Sequence, residues 1–549
     1  MTGFLDASIH EVFNQSPPFA DVNLFTSDAA LREAVRRERA GWAEAGLAAF
    51  GARCGSAEAL ALGRQANEHP PELKTCDEKG RRLDVVEFHP AYHQLMAMSF
   101  VQGLHASPWS DPRPGAHVAR CAGSFMAAQM ESGHCCPVTM THASMATLRL
   151  APELAADWTP KLFGRDYDPS FRPVAEKRSA TIGMGMTERQ GGADVRANIT
   201  RAEPSGGGAY RVTGHKWFMS APMCDAFLIL AQAPGGLTCL FLPRFLPDGQ
   251  VNAIHFQRLK NKLGNRSNAS AEAEFWGAEA QLVGEEGRGV RAIIEMVTLT
   301  RLDCAVSSAG LMRLALASAL RHAAGRSAFQ RRLIDQPLMR SVLADMAIEC
   351  EAATALAFRL ARSFDLAEMS AAEAAFRRLM TPVAKYAICK SAPGLICEAM
   401  ECLGGNGYVE DGLLARAYRE APVNAIWEGP GNIMALDVLR VMQREPGAVE
   451  LALGEFESAS LGEPRLRAAL DRLKALLADR ASLEANARQA VELLARIASA
   501  GVLLAGAPDA VAGAYVHSRL ADGLGGAAYG ARTAGVDAGA ILSRQAQAD

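Results

Sequence analysis

The chain has 549 residues, 49% apolar and 6% aromatic, and a net charge of −3. So small a charge gives no bulk pull toward nucleic acid or an anionic membrane, and a chain of this length exceeds one comfortable core, so about three or four packed units are expected. The 12 cysteines are scattered, several of them (Cys304, Cys350, Cys389, Cys397) inside apolar helical patterns, which fits reduced, buried thiols rather than a disulfide framework, and Cys135-Cys136 beside His134 lacks the C-x-x-C partner that zinc would need.

Met1 to Asn14 carries acids and no apolar h-region, and no run reaches the ~18 uncharged apolar residues of a membrane helix. The expectation is a cytoplasmic protein. Residues 1–28, with Pro17-Pro18, read as an extended arm, and the pattern from about Ala29 to Trp158 is mostly helical, opening after a Ser27-Asp28 cap signal. Together, 1–180 form an N-terminal arm and helical domain.

Near Thr181 the texture changes. Tyr210 and Val212 alternate with polar neighbours, and Ala226 to Ala231, Leu237 to Leu242 and Val251 to Phe256 are short apolar runs punctuated by Gly and Pro. These predict a β domain over 181–285. Helical periodicity then returns as a bundle over 286–445, followed by a C-terminal helical domain, 446–549, with Arg465 to Leu477 and Leu483 to Ala498 as helices. The fold class is therefore mainly α with a central β domain.

Five segments could carry chemistry. Gly183 to Val195 is a Gly-rich turn holding Met186, Thr187, Gly192 and Ala193, where backbone N–H groups can approach a flavin or phosphate closely. Its spacing is not the dinucleotide fingerprint, because Glu188 stands at the third glycine. Lys216-Trp217-Phe218-Met219-Ser220 could present aromatics and a hydroxyl, although alone such a strand would more often be core. Arg326, three residues before Phe329, suits phosphate through its planar fork. Gly404-Gly405-Asn406-Gly407 is a turn of a common kind. Last, Ile426-Trp427-Glu428-Gly429-Pro430-Gly431-Asn432 puts a carboxylate on a Gly/Pro-bounded turn before the apolar helix Ile433 to Val441. A carboxylate that folding removes from water makes a good general base. A structural Glu at a helix start, favoured by the dipole, is the alternative.

Read together, these motifs and the helix–β–helix order resemble the acyl-CoA dehydrogenase family. Three stretches, Thr187-Glu188-Arg189-Gln190-Gly191-Gly192, Leu259 to Ser270 and Ile426 to Gly429, resemble in particular its AidB-like subfamily, bacterial flavoproteins of the adaptive response to DNA alkylation. Asn14-Gln15, Asn67-x-x-Pro70-Pro71-Glu72-Leu73 and the extra section after Pro446 do the same.

The resemblance implies FAD between the β domain and the bundle, a homotetramer, and weak dehydrogenation of branched acyl-CoA thioesters. It makes Glu428 the base that takes the α-proton, with Arg301 beside the acyl pocket. Thr300 fills the slot where branched-chain members carry their base, so Glu428 has no rival. For the cofactor it implies Met186, Thr187, Gly192, Ala193, Phe218, Met219, Ser220, Arg326, Phe329, Gly404, Gly405, Ile426, Trp427, Gly429 and Asn432, those of the R-x-x-F motif reaching the FAD of a neighbouring subunit. The family's serine is Ala193 here, which removes one ligand hydrogen bond and leaves open a flavin oxidase acting on a small non-CoA molecule.

The subfamily also implies duplex DNA binding by the C-terminal domain. From Glu445 onward there are ten Lys/Arg against thirteen Asp/Glu, whereas phosphate binding needs a basic face. Arg465, Arg467, Arg472, Lys474 and Arg480 could make a local patch, and a solvated amphipathic face explains the same residues equally well. A DNA-binding protective protein with vestigial dehydrogenase activity is thus the second reading.

Overall fold

The computed structural model describes residues 11–479, 481–521 and 528–545. The helix Ala29–Arg37 starts at Asp28, whose carboxylate accepts from the Leu31 N–H at 3.0 Å, and Ala57–Glu68 starts at Ser56 in the same way. Such caps satisfy amides that have no partner within a helix.

Pro70-Pro71 ends the second of these helices, and here the structure departs from the helical expectation. β1 (Glu72–Cys76) and β2 (Arg82–Glu87) form an antiparallel hairpin. Its reason is tertiary. Asp84 accepts from the Phe256 N–H (2.9 Å), and Arg82 and Arg244 tie the hairpin to the β domain.

Seven strands follow: β3 (Ile182–Gly185), β4 (Arg201–Gly206), β5 (Ala209–Ser220), β6 (Ala226–Ala233), β7 (Gly236–Pro243), β8 (Ile254–Leu259) and β9 (Ser270–Leu282). Their order is β3-β5-β4-β6-β7-β9-β8, and the further pairings β3–β6 and β5–β9 close the sheet on itself. β6 and β7 are buried nearly throughout, so their sequences read as continuous apolar runs. The β5–β9 register shifts between Lys216 and Met219, which puts Trp217 and Phe218 in a bulge.

The helix Gly289–Gly325 is the axis of the bundle, buried over most of its length and packed by Ala116–Met130, Cys135–Leu148, Pro337–Leu366 and Ala371–Leu403. By length and composition it and Ala487–Gly506 could cross a membrane, but the first lies inside the protein, which is what a helix apolar all round does in a large core. Beyond Pro446, the helices Pro446–Ala459, Pro464–Ala478, Ala487–Gly506, Asp509–Leu520 and Ala538–Gln545 pack on the bundle. Arg519 pairs with Asp345 (2.6 Å), while Arg544 pairs with Glu33 and Glu351, so the C-terminal section is bonded to the rest through buried and half-buried charges. Two apolar cores result, one of helices and one of the β domain, and Cys135–Leu148 and Gly289–Gly325 contribute to both.

Candidate active site

At that seam lies a cavity of about 70 Å³ lined by Glu428, Trp427, Ser220, Thr300 and Thr139 among others. Glu428 enters it from a strained turn: its φ is 59° and that of Gly429 is 105°. For a residue with a Cβ the left-handed region costs about 1–3 kcal/mol and persists only where surroundings enforce it. Two buried cations do so. Arg301 Nε donates to the Glu428 carbonyl at 3.0 Å, and Lys385 Nζ to the Gly429 carbonyl at 2.5 Å. Arg301 is itself held by Asp437 at 2.7 Å.

The carboxylate is less well served than its backbone. Glu428 Oε2 is buried without a hydrogen-bond partner. Burial pushes its pKa up, and the Thr300 hydroxyl, Arg301 and Lys385 pull it down by less. A carboxyl kept out of water, with a free lone pair facing a cavity, is a proton acceptor held ready.

Met186, Thr187, Gly192 and Ala193 lie on the turn after β3, beside the β5 bulge: the Trp217 N–H donates to the Thr187 carbonyl at 2.8 Å. Glu188 anchors this turn. It is fully buried and takes Lys216 Nζ at 2.8 Å together with the Ile199 and Thr200 N–H groups. Burial alone would raise its pKa, but Lys216 and these donors hold it at about 2. Phe218 is 46% exposed and Ile426 63%, while Ser220 and Trp427 line the cavity.

Other expectations need correction. Met219 is fully buried, its sulfur packed against Gly185, so its side chain belongs to the core and only its backbone is available to a ligand. Arg301 does not line the cavity; it stands behind the Glu428 turn as a backbone clamp. Asn432 is exposed and accepts from Arg488 Nε at 2.8 Å. Arg326, Phe329, Gly404 and Gly405 lie away from the Glu428 cavity, which leaves untouched the expectation that the R-x-x-F pair reaches the FAD of a neighbouring subunit and the glycine turn its adenosine end. Arg326 donates to the Asn14 carbonyl of the N-terminal arm, Phe329 is 94% exposed at φ 52°, and Gly404 and Gly405 face open space.

Of the basic residues on Pro464–Ala478, Lys474 pairs with Glu457 (2.7 Å), Arg465 meets His517, Arg472 donates to the Leu520 carbonyl, and Arg467 is exposed. Arg480 lies outside the described residues. A stronger positive surface is elsewhere. An open groove of about 720 Å³ between the β domain and the bundle is lined by Arg196, Arg288, Arg291, Arg378, Arg440 and Arg444, with Asp437 as its one acid. Asp437 links this groove through Arg301 to the back of the Glu428 turn. Sequence reasoning missed the groove, because its arginines lie on separate elements. Lys385 and Asp303 were missed too, being single charges within apolar helical patterns.

This fold with this site is that of a flavin-dependent dehydrogenase, and comparison with known proteins agrees. Residues 14–169 match the AidB N-terminal domain, 183–277 the acyl-CoA dehydrogenase middle domain and 287–443 the acyl-CoA dehydrogenase C-terminal domain. The chain belongs to the acyl-CoA dehydrogenase family, FAD-dependent oxidoreductases acting on CH–CH groups. Within it, the chain is 53% identical to the AidB protein of Escherichia coli (strain K12) over 81% of this chain and 83% of that one. It is 32% identical to acyl-CoA dehydrogenase family member 11 of Caenorhabditis elegans over 85% and 80%. The crystal structure of C. elegans ACDH-11 in complex with C11-CoA superposes with a TM-score of 0.85 at 29% identity, covering 95% of each chain.

The residues present fit FAD. A Cβ at Gly192 would lie 2.4 Å from Thr187 Oγ1, so glycine there keeps a hydroxyl-bearing cradle open. That cradle adjoins the bulge with half-exposed Phe218, an apolar face of the kind a planar ring packs on.

Proposed function

We propose that the chain dehydrogenates an acyl-CoA thioester between its α and β carbons. The observation that carries this reading is the unpartnered, buried Glu428 Oε2, pushed toward protonation and facing a cavity shared with Ser220. FAD, when bound, accepts the β-hydride. Glu428 takes the α-proton, its backbone N–H serves the thioester oxygen, and the left-handed turn clamped by Arg301 and Lys385 fixes its direction. The arginine groove suits the phosphates of CoA, since guanidinium pairs with phosphate through two parallel hydrogen bonds. The bound C11-CoA of the C. elegans relative supports the same substrate class.

The test is an anaerobic titration of the FAD-loaded protein with short, branched and long acyl-CoAs, followed by flavin absorbance. Bleaching that is lost in Glu428→Gln with FAD retained supports the reading. A yellow protein reduced by no acyl-CoA refutes it and moves the weight to a flavin oxidase acting on a small non-CoA substrate.

A second reading, duplex DNA binding in the alkylation response, draws on the same groove rather than on Pro464–Ala478, whose cations are largely engaged. It requires affinity for DNA that falls steeply with salt and is lost in Arg440→Ala/Arg444→Ala. We also take the protein to be a cytoplasmic homotetramer. The free cysteines fit a reducing compartment, and exposed Phe329 and Tyr408 are apolar surface that a second copy would cover.

A further inference from the structure

Asp437, on the helix Gly431–Arg444, is buried between two arginines with different surroundings. Its Oδ2 accepts from Arg301 Nη1 at 2.7 Å, and Arg301 Nε donates to the Glu428 carbonyl at 3.0 Å. Its Oδ1 accepts from Nη1 and Nη2 of Arg378 at 3.2 and 3.3 Å. Arg301 is buried behind the catalytic turn. The Arg378 side chain is 39% exposed, reaches Glu445 as well at 3.3 Å, and lines the arginine groove beside Arg440 and Arg444.

One carboxylate thus shares its charge between two guanidinium groups, and their claims on it are unequal. The Arg301 pair is short and buried, so breaking it strands a charge out of water. The Arg378 pair is longer and half in water, where an ion pair contributes little and exchanges partners readily. An anion entering the groove therefore takes Arg378 first. Asp437 is then left with a single partner, the attraction of its charge falls on Arg301, and the Glu428 carbonyl that Arg301 carries is held more firmly.

We propose that Asp437 is a positioning residue that makes the set of the Glu428 turn depend on what occupies the arginine groove. Phosphates of the substrate, which take no part in the bond changes, align the base by releasing Asp437 to Arg301. The inference rests on the acyl-CoA reading given above and on its placing of those phosphates. Binding energy from the unreactive end of a substrate, used in this way, shows in kcat as well as in KM.

The experiment compares an acyl-CoA with the same acyl group on N-acetylcysteamine, a thioester without phosphates, as anaerobic reductants of the FAD-loaded protein. In the wild type the phosphate-free thioester should reduce the flavin about tenfold more slowly at saturation. Arg378→Gln removes the competitor for Asp437 and leaves the buried Arg301 pair intact, so it should speed the phosphate-free thioester about threefold or more and narrow the gap. Asp437→Asn, checked for FAD content, should slow both thioesters. Equal saturated rates for the two thioesters in the wild type overturn the proposal, as does an Asp437→Asn protein with wild-type rates. So does an Arg378→Gln protein that is no faster with the phosphate-free thioester, because loss of a merely structural arginine brings no gain.

If no thioester reduces the flavin, the acyl-CoA reading fails by itself. The coupling is then read from Trp427, the neighbour of Glu428 on the turn, as the emission lost in Trp427→Phe. Inorganic pyrophosphate should change that emission in the wild-type holoprotein and have little effect in Arg378→Gln. No change in the wild type, or an equal change in both proteins, overturns the proposal.

Discussion

Lys385→Met isolates what holds the catalytic turn in place. Glu428 at φ 59° carries a left-handed strain of about 1–3 kcal/mol, and two cationic donors, Arg301 and Lys385, oppose its relaxation. A hydrogen bond from a charged group contributes about 1.5–3 kcal/mol. Removing the 2.5 Å bond from Lys385 to Gly429 makes the remaining restraint comparable to the strain, so the productive turn should lose roughly a factor of ten or more in population, at about 1.4 kcal/mol per factor of ten. Methionine keeps the bulk and leaves no buried cation stranded. The same ammonium helps to lower the Glu428 pKa, which burial raises. Its loss moves that carboxyl further up, and since Glu428 must be ionised to accept a proton, the rising limb of the pH–rate profile should shift to higher pH. The assay is anaerobic flavin reduction by an acyl-CoA as a function of pH, with FAD content as the check on folding. A holoprotein variant with wild-type rates and an unmoved limb would refute the clamp.

Three further outcomes follow from the geometry. Gly192→Ala should lower FAD occupancy several-fold, read from the ratio of flavin to protein absorbance, because the added methyl meets Thr187 Oγ1 at 2.4 Å; full occupancy would mean that the cradle is not used. Glu188→Gln strands the fully buried Lys216 without its countercharge, so the denaturant midpoint of the β domain should fall by an amount equivalent to about 3–5 kcal/mol. A change below about 1 kcal/mol would show that the pair does not anchor the turn. Burial depresses His105 and His117 to about 3 from the ordinary 6.5. Their stabilising contribution is therefore complete above pH 6.5 and is lost as pH falls toward 3, so the melting temperature should decline through that window; a flat acid profile would contradict it.

How far the sequence carried depended on whether the determinants were local. β6 and β7 were legible because both are apolar runs, buried nearly throughout and punctuated by Gly and Pro, and the Glu428 turn because Gly429, Pro430 and Gly431 mark it before an amphipathic helix. The β1–β2 hairpin was hidden within a helical stretch, since what makes it a hairpin is Asp84 and Arg82 meeting Phe256 some 170 positions later. Arg301 beside the acyl pocket was a reasonable expectation from its place next to Thr300, but the helix turns it toward Asp437 and the Glu428 carbonyl. Met219 carries no sign of its burial, because the bulge at Trp217-Phe218 decides which side chains of β5 face outward. The acidic excess of the section after Glu445 could be counted in the sequence. The arginine groove could not, since its members come from Arg196 through Arg444 and meet only in the fold.

The central claim is that Glu428 removes the α-proton. Its most direct measurement is exchange of the α-hydrogens of a CoA thioester into deuterated solvent, followed by NMR, with anaerobic wild-type holoprotein and Glu428→Gln. The account predicts exchange by the wild type and only the uncatalysed background in the variant at unchanged FAD content. Exchange by Glu428→Gln at the wild-type rate would contradict it.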